Sequence, residues 1–451
     1  MFQKLLGVEN WKKSLVLRNG ITALSARFLN ILIALVLAGL VARSLEPDGL
    51  GTFKYWMSIA SFSCLFVQLG LPAFAVRTTA QAIASNDEVV EVVEFCFLVT
   101  ITLGVVVFSL GVTLLPVSAT ILKINFYTWF TISVYALVLS LQQNTLSILN
   151  GFQRIGFTAV LDGVLRPGLA LLLFCFCMKT LAAITPIEVL WIHIAAVGIS
   201  MMFGFVMLSN QVSRARTHLS ILNISKYKHW LSESLSLAMA SSGSVVFAAS
   251  DIFLLYQLSL EHNNVGFFTA GQQLASLALA GQVVVNSLLA PKLAGAFIKK
   301  EMQRVESLIA RSAVATTGVA LLALAVMLSM GKLIIGIIYS DSFFPVLPLL
   351  TVMVIGQVFS AANGPVVLIL NMAGKQRTVA LVLLLATLLK VPCCYLGFLS
   401  GNIFGFTVAT TTANVGVQAV FWLLVFKSFG FRAGIFPFIR TLMNAMGKRL
   451  R

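Results

Sequence analysis

Five charged residues lie inside long apolar stretches of the sequence: Arg27, Asp162, Arg166, Asp251 and Lys390. A charge in the middle of a lipid bilayer costs roughly 2.5–3.5 kcal/mol on insertion scales, so each needs a partner or a water-filled cavity. A guanidinium can donate two parallel hydrogen bonds to a phosphate. The three cations are therefore candidate binding groups for an anionic substrate.

Each cation also has a structural interpretation. Arg27 could snorkel to the interface or form an ion pair between helices. Asp162 and Arg166 are four residues apart and share a helix face, which favours a structural ion pair and leaves Arg166 further donors for substrate. Lys390 could face Arg166 across a cavity, or it could snorkel.

Asp251 is the carboxylate that lies deep in the second half of the chain. An intramembrane carboxylate can carry a proton, which makes Asp251 the candidate for ion coupling. The alternative role for Asp251, which the sequence supports equally, is a structural salt bridge to one of the three cations. The identity of a coupling ion stays open.

Gln272, Gln282 and Asn286 form a second candidate substrate-binding group. On one continuous helix they would fall within an arc of roughly 80°, which indicates a polar face toward a cavity. The alternative is hydrogen bonding between helices. The sequence contains no nucleophile motif, phosphate loop or metal-ligand cluster, so we expect no enzyme, no cofactor and no metal site.

The elements that position these residues are apolar helices. Of the 451 residues, 59% are hydrophobic and 10% are charged, with a mean hydropathy of +0.97, whereas soluble domains carry about 25% charged residues. Because a membrane span needs about 20 apolar residues, the runs predict an all-α integral membrane protein with about twelve transmembrane helices. They cover residues 20–42, 50–75, 93–116, 125–149, 158–178, 187–209, 234–259, 265–290, 308–338, 345–371, 378–399 and 402–426.

The net charge of +16 is explained by its distribution. With the N-terminus in the cytoplasm, 23 of the 31 Lys and Arg residues fall on the cytoplasmic side and five on the other. This split predicts that both termini lie in the cytoplasm, and it explains the charge without a nucleic acid partner. The basic tail 428–451 has apolar residues at helical spacing, which predicts a helix lying on the anionic inner leaflet.

The two halves of the chain contain matching segments in the same order. The segment 46–53 matches 261–268, 149–154 matches 370–377, and Arg166-Pro167 matches Lys390-Val391-Pro392. We interpret these matches as a duplication. It divides the chain into an N-terminal lobe (1–209), a cytoplasmic linker (210–233) and a C-terminal lobe (234–427), with the substrate site expected between the halves.

Short motifs carry a resemblance to a known family. The segments 49–53, 68–72 and 149–154, together with Arg77, resemble the bacterial polysaccharide transporter family. These proteins are Wzx-type lipid-linked oligosaccharide flippases of the multidrug/oligosaccharidyl-lipid/polysaccharide exporter superfamily. The resemblance implies two pseudo-symmetric six-helix lobes around a central cavity.

The resemblance also implies an activity and partners. The expected function is alternating-access transfer of an undecaprenyl-pyrophosphate-linked oligosaccharide, such as an O-antigen unit, from the cytoplasmic to the periplasmic leaflet. The expected partners are this anionic lipid-linked glycan, membrane lipids, and the polysaccharide polymerase and chain-length machinery, with the protein itself a monomer.

A multidrug or cation antiporter of the same superfamily is the main alternative. Such pumps need acidic residues for cationic drugs, commonly in the first helix, where this chain has Arg27 and no carboxylate between residues 20 and 42. A membrane glycan polymerase or ligase would need a substantial outer loop, and the predicted outer loops are short. The sequence therefore favours transport of an anionic glycan.

Overall fold

The computed structural model describes residues 8–85, 89–114, 116, 122–181, 183–213, 224–299, 301–430 and 434–435. Within these ranges the chain is almost entirely helical and contains no strand. The predicted in-plane helix of the tail lies outside the described residues, as does the middle of the predicted linker.

The helices of the first half are numbered α1 to α7. They are α1 (Val8–Gln68), α2 (Leu71–Ser85), α3 (Val89–Thr113), α4 (Phe126–Gly151), α5 (Ile155–Val160), α6 (Arg166–Thr180) and α7 (Pro186–Val212), with a π-helical turn at Leu161–Leu165 that joins α5 to α6.

The helices of the second half are α8 to α14. They are α8 (Ile224–Leu258), α9 (Asn263–Leu277), α10 (Ala280–Ile298), α11 (Met302–Ile338), α12 (Val346–Asn363), α13 (Val366–Met372) and α14 (Gln376–Phe429), with a 3-10 turn at Asp341–Phe343.

Nine helical stretches of the described chain are long and apolar enough to cross a membrane. Two of them, Thr22–Ser85 and Gln376–Phe429, are longer than one span. The first bends at Glu46, next to Pro47, and the second bends at Gly401 and Asn402, where the backbone leaves the helical conformation. The predicted class is therefore confirmed: the protein is an all-α, multi-pass integral membrane protein.

Three predicted spans are wrong as single helices. The span 50–75 breaks between α1 and α2, where Leu69 and Gly70 take positive φ values of 41° and 75°. The span 345–371 breaks where Gly364 takes a positive φ of 72° and Pro365 offers no backbone donor. The span 265–290 breaks at Ala278 and Leu279, whose N–H groups donate to carbonyls three residues earlier (3.1 and 3.0 Å), as in a tightened 3-10 turn.

By its internal contacts the chain forms two compact units. The first comprises Met1–Leu45 and Trp56–Met239, and the second comprises Glu46–Tyr55 and Ala240–Arg451. The division after Met239 lies inside α8, and the segment Glu46–Tyr55 groups with the second unit although it belongs to α1.

The core of the first unit joins α2, α3, α4 and α7 to the start of α8. Phe74, Phe95 and Trp230 pack with ring centroids 5.3–5.7 Å apart in tilted and edge-to-face arrangements. Two ion pairs, Lys226 with Glu91 and Arg77 with Glu233, join α8 to α3 and to α2. The beginning of α8 is therefore anchored by both apolar and charged contacts.

The second unit holds the segment Glu46–Tyr55 by close backbone contact and aromatic stacking. A side chain at Gly266 would place its Cβ 1.9 Å from the carbonyl oxygen of Pro47, and one at Gly51 would lie 3.0 Å from the nitrogen of Gly266. Tyr55 stacks on Tyr256 with a centroid distance of 3.7 Å. The two segments that match in sequence, 46–53 and 261–268, thus pack against each other through their glycines.

Candidate functional site

A cavity of about 360 Å³ lies within the second unit, among α8, α9, α12, α13 and α14. Its apolar wall includes Phe247, Phe268 and Phe421. Its polar lining consists of Ser244, Asp251, Gln272, Gln357, Ser360, Thr410, Thr411, Asn414 and Gln418. Asp251 is the one charged side chain of the described lining.

Helical spacing explains why these residues share the cavity. On α8, Ser244 and Asp251 are seven residues apart, which is close to two full turns, so both side chains project from one face. On α14, Thr410, Asn414 and Gln418 follow one another at intervals of four residues and form a polar stripe. The α14 stripe is the part of the site that our sequence reasoning missed, although its spacing was a usable signal.

Asp251 forms a buried ion pair with Lys390 of α14. The Lys390 Nζ lies 2.7 Å from Oδ1 of Asp251 and donates to the Phe247 carbonyl oxygen at 2.7 Å. It also lies 3.8 Å from the centroid of the Phe247 ring, within cation–π range. The side chains of Lys390 and Asp251 are 0% and 4% exposed, so the two charges compensate each other away from solvent.

The pair bears on the structural alternative for each residue. In this conformation Asp251 has the cationic partner that the salt-bridge alternative required, and Lys390 neither snorkels nor belongs to the cavity lining. The ion-coupling role of Asp251 and the substrate-binding role of Lys390 stay predictions.

The first unit contains the other intramembrane pair. Arg166 lies 2.9 Å from Asp162, and their side chains are 30% and 41% exposed. Asp162 belongs to the π-helical turn, which Pro167 follows closely. The backbone N–H of Arg166 donates to the carbonyl oxygen of Leu161, five residues earlier. In an α-helix this donor would be four residues after the acceptor.

A buried polar chain supports this turn from α4 and α7. Ser200 Oγ donates to the Leu161 carbonyl at 3.2 Å, and Gln142 Nε2 donates to Ser200 Oγ at 2.9 Å. Gln142 and Ser200 are fully buried. Because π-helical turns concentrate at functional sites, the Asp162–Arg166 region is a candidate binding element in its own right.

Arg27 is exposed on α1, one residue from Ala26. A Cβ at Gly163 would lie 3.1 Å from the Ala26 carbonyl oxygen, so α1 passes directly against the π-helical turn. The structure therefore brings the backbone beside Arg27 to the turn that carries Asp162.

The predicted polar group of Gln272, Gln282 and Asn286 is divided by the break at Ala278 and Leu279. Gln272 lies in α9 and lines the cavity, whereas Gln282 and Asn286 lie in α10, beyond the described lining. The prediction that the three side chains share one helix face required a single continuous helix. In the part of the chain that is described, Asn286 Oδ1 is buried and accepts no hydrogen bond.

Comparisons with known proteins agree on a transporter fold. The family described as "Polysaccharide biosynthesis protein" matches residues 16–294. No curated protein matches the chain. A solved structure described as an inward-facing multidrug resistance MATE family transporter of the MOP superfamily aligns with a TM-score of 0.73 and 14% identity, over 91% of this chain and 98% of that one.

A second solved structure is a MOP superfamily transporter from Pyrococcus furiosus. It aligns with a TM-score of 0.65 and 14% identity, over 92% of this chain and 95% of that one. Its description states that the reverse polarity of its binding pocket suggests a different function. At such identities these similarities establish the fold.

Proposed function

Because the chain belongs to the polysaccharide biosynthesis protein family, we propose that it is a flippase for a lipid-linked glycan. The cargo is an undecaprenyl-pyrophosphate-linked oligosaccharide, such as an O-antigen or other surface polysaccharide unit. The protein moves it from the cytoplasmic to the periplasmic leaflet of the bacterial inner membrane by alternating access. Both termini lie in the cytoplasm, and the polysaccharide polymerase and chain-length machinery receive the product.

One observation carries the choice of an anionic cargo over a cationic drug. Each of the two deep carboxylates in the described membrane helices already has a cation beside it, Lys390 for Asp251 and Arg166 for Asp162. A site for a cationic drug needs a carboxylate whose charge the protein has not compensated. Arg166, whose side chain is 30% exposed, retains donors beyond those that face Asp162, and these suit pyrophosphate.

We assign ion coupling to Asp251. A proton taken up by this carboxylate would remove its attraction for Lys390, and that attraction joins α8 to α14 at the cavity wall. Protonation would thus change the packing of two helices in one step, as an ion-driven conformational change requires. The ion would act through the conformation of the protein.

Deletion of the gene tests the biological role and provides the substrate. We expect the deletion strain to accumulate a lipid-linked glycan on the inner leaflet and to lose the corresponding surface polysaccharide. That glycan, placed in proteoliposomes with the purified protein, should become accessible to an external glycosidase faster than in protein-free vesicles.

If the protein is instead a multidrug or cation antiporter, we expect the opposite results. Resistance to cationic drugs on overexpression, together with an unchanged surface polysaccharide in the deletion strain, would refute the flippase. An Arg166→Gln variant of normal abundance serves as the internal comparison, because it should transfer the glycan more slowly and leave drug sensitivity unchanged.

A further inference from the structure

The cavity of the second unit is lined by four side-chain amides that have no hydrogen-bond partner among the described residues. Gln272 lies on α9, Gln357 on α12, and Asn414 and Gln418 on α14. Within the described residues, none of these four amides hydrogen-bonds to another protein group. Each amide offers two donors and one acceptor oxygen, so the cavity presents both kinds of hydrogen-bonding group from three directions.

The charge of the cavity restricts the kind of ligand. Asp251 is compensated by Lys390 at 2.7 Å, so the lining carries neutral dipoles and no uncompensated charge in the part of the chain that is described. A phosphate or an ammonium group would have to give up its hydration without an opposite charge to replace it. An uncharged ligand rich in hydroxyl groups avoids that cost.

The size and the apolar surface of the cavity also suit a sugar. The volume of about 360 Å³ lies within the range of small-molecule sites, roughly 300–1,000 Å³. The rings of Phe247, Phe268 and Phe421 line the same cavity as the amides. A sugar ring has an apolar C–H face and a rim of hydroxyls that donate and accept, which matches this combination of aromatic and amide groups.

We propose that this cavity is a subsite for uncharged sugar residues of the transported glycan, distinct from the groups that bind its pyrophosphate. The inference rests on the proposed function and deepens it, because it divides recognition between two regions. The amides of α9, α12 and α14 bind the glycan, and the cationic region of the first unit around Arg166 serves the phosphates.

Binding of a free oligosaccharide tests the subsite without transport. The probe is the oligosaccharide released by mild acid from the lipid-linked glycan of the deletion strain, titrated calorimetrically into the full-length protein in nanodiscs. The double variant Asn414→Leu/Gln418→Leu keeps the side chains near their original size and removes their hydrogen bonds. We expect its affinity to fall at least tenfold, since two hydrogen bonds are lost.

Two controls make the result specific. Thr412→Val changes an exposed polar residue on the same helix, and its affinity should equal that of the unmodified protein. Inorganic pyrophosphate in excess should leave oligosaccharide binding unchanged. If the double variant does not fold, Gln272→Leu on α9 provides the same test from another wall, with an expected loss of several-fold.

The possible failures are distinguishable. No binding by the unmodified protein, unchanged affinity in the folded variants, or displacement by pyrophosphate would each overturn the subsite. Loss of oligosaccharide binding in the double variant supports it, even if the unmodified protein fails to transfer the glycan in proteoliposomes. That last failure would count against the flippase alone.

Discussion

The two intramembrane ion pairs of the described helices have cations that match in sequence, Arg166 and Lys390, but the environments of the pairs are very different. Arg166 and Asp162 lie one turn apart in one continuous helical segment, 2.9 Å from each other and 30% and 41% exposed. Lys390 and Asp251 come from different helices, lie 2.7 Å apart and are almost completely buried. The first pair joins two residues of one helical segment and is partly exposed to solvent. The second pair joins two different helices and is closed to solvent.

The difference shows that charge type and position within a span do not determine what a residue contributes. A half-exposed pair gains little net energy, because water competes for both charges. In a buried pair each charge depends on the other, since neither can recover its lost hydration. We therefore expect the Lys390 pair to control folding and conformation, and the Arg166 pair to remain available to a ligand.

Lys390→Ala should have the largest effect on stability. The substitution leaves Asp251 buried without its cation, which costs about 3–5 kcal/mol where one partner of a buried pair is removed. The expected result is a much lower yield of folded protein and a large decrease in the free energy of unfolding, measured in mixed detergent micelles. Stability equal to that of the unmodified protein would mean that the pair is not buried in the membrane.

Replacement of both partners separates stability from coupling. Asp251→Leu/Lys390→Met removes both charges and keeps apolar side chains of similar size, an exchange that is often neutral or stabilising by about 1–4 kcal/mol. We expect near-normal stability and transport that no longer responds to a pH gradient. Normal pH-driven transport by this stable double variant would exclude Asp251 as the coupling residue.

Ser200→Ala tests the polar support of the π-helical turn in the first unit. The Ser200 hydroxyl donates to Leu161 and accepts from Gln142, and its loss leaves the buried Gln142 amide without that partner. An unsatisfied buried polar group costs about 1–3 kcal/mol, so the loss of stability should be smaller than for Lys390→Ala. Ser209→Ala, on the exposed face of the same helix, is the matched control for unfolding measurements.

The sequence could reveal the helices and one of the two pairs. Long apolar runs identify spans because lipid leaves few alternatives to a helix. The Asp162–Arg166 pair needs only helical spacing, whereas Lys390 lies 143 residues from Phe247, whose carbonyl accepts its hydrogen bond, so that environment depends on tertiary packing.

The cavity was less accessible to sequence reasoning for two reasons. The break between α9 and α10 contains neither Gly nor Pro, so the sequence gives no sign of it. The prediction that Gln272 and Asn286 share one helix face was therefore wrong. The stripe of Thr410, Asn414 and Gln418 is visible as a period of four. An isolated sequence does not show which face of a helix meets a cavity and which meets a neighbouring helix.

Arg166→Ala should have the smallest effect on stability and thereby sharpen the comparison. Because both side chains of the Asp162–Arg166 pair are partly solvated, a double-mutant cycle with Asp162→Ala should give a coupling energy of about 0.2–1 kcal/mol that decreases with added salt. A coupling of the size expected for Lys390 would show that the two pairs have equivalent roles. If stability is preserved while glycan transfer by Arg166→Ala falls and Arg166→Lys recovers only part of it, the guanidinium acts on the pyrophosphate, because a lysine supplies the charge without the paired donors.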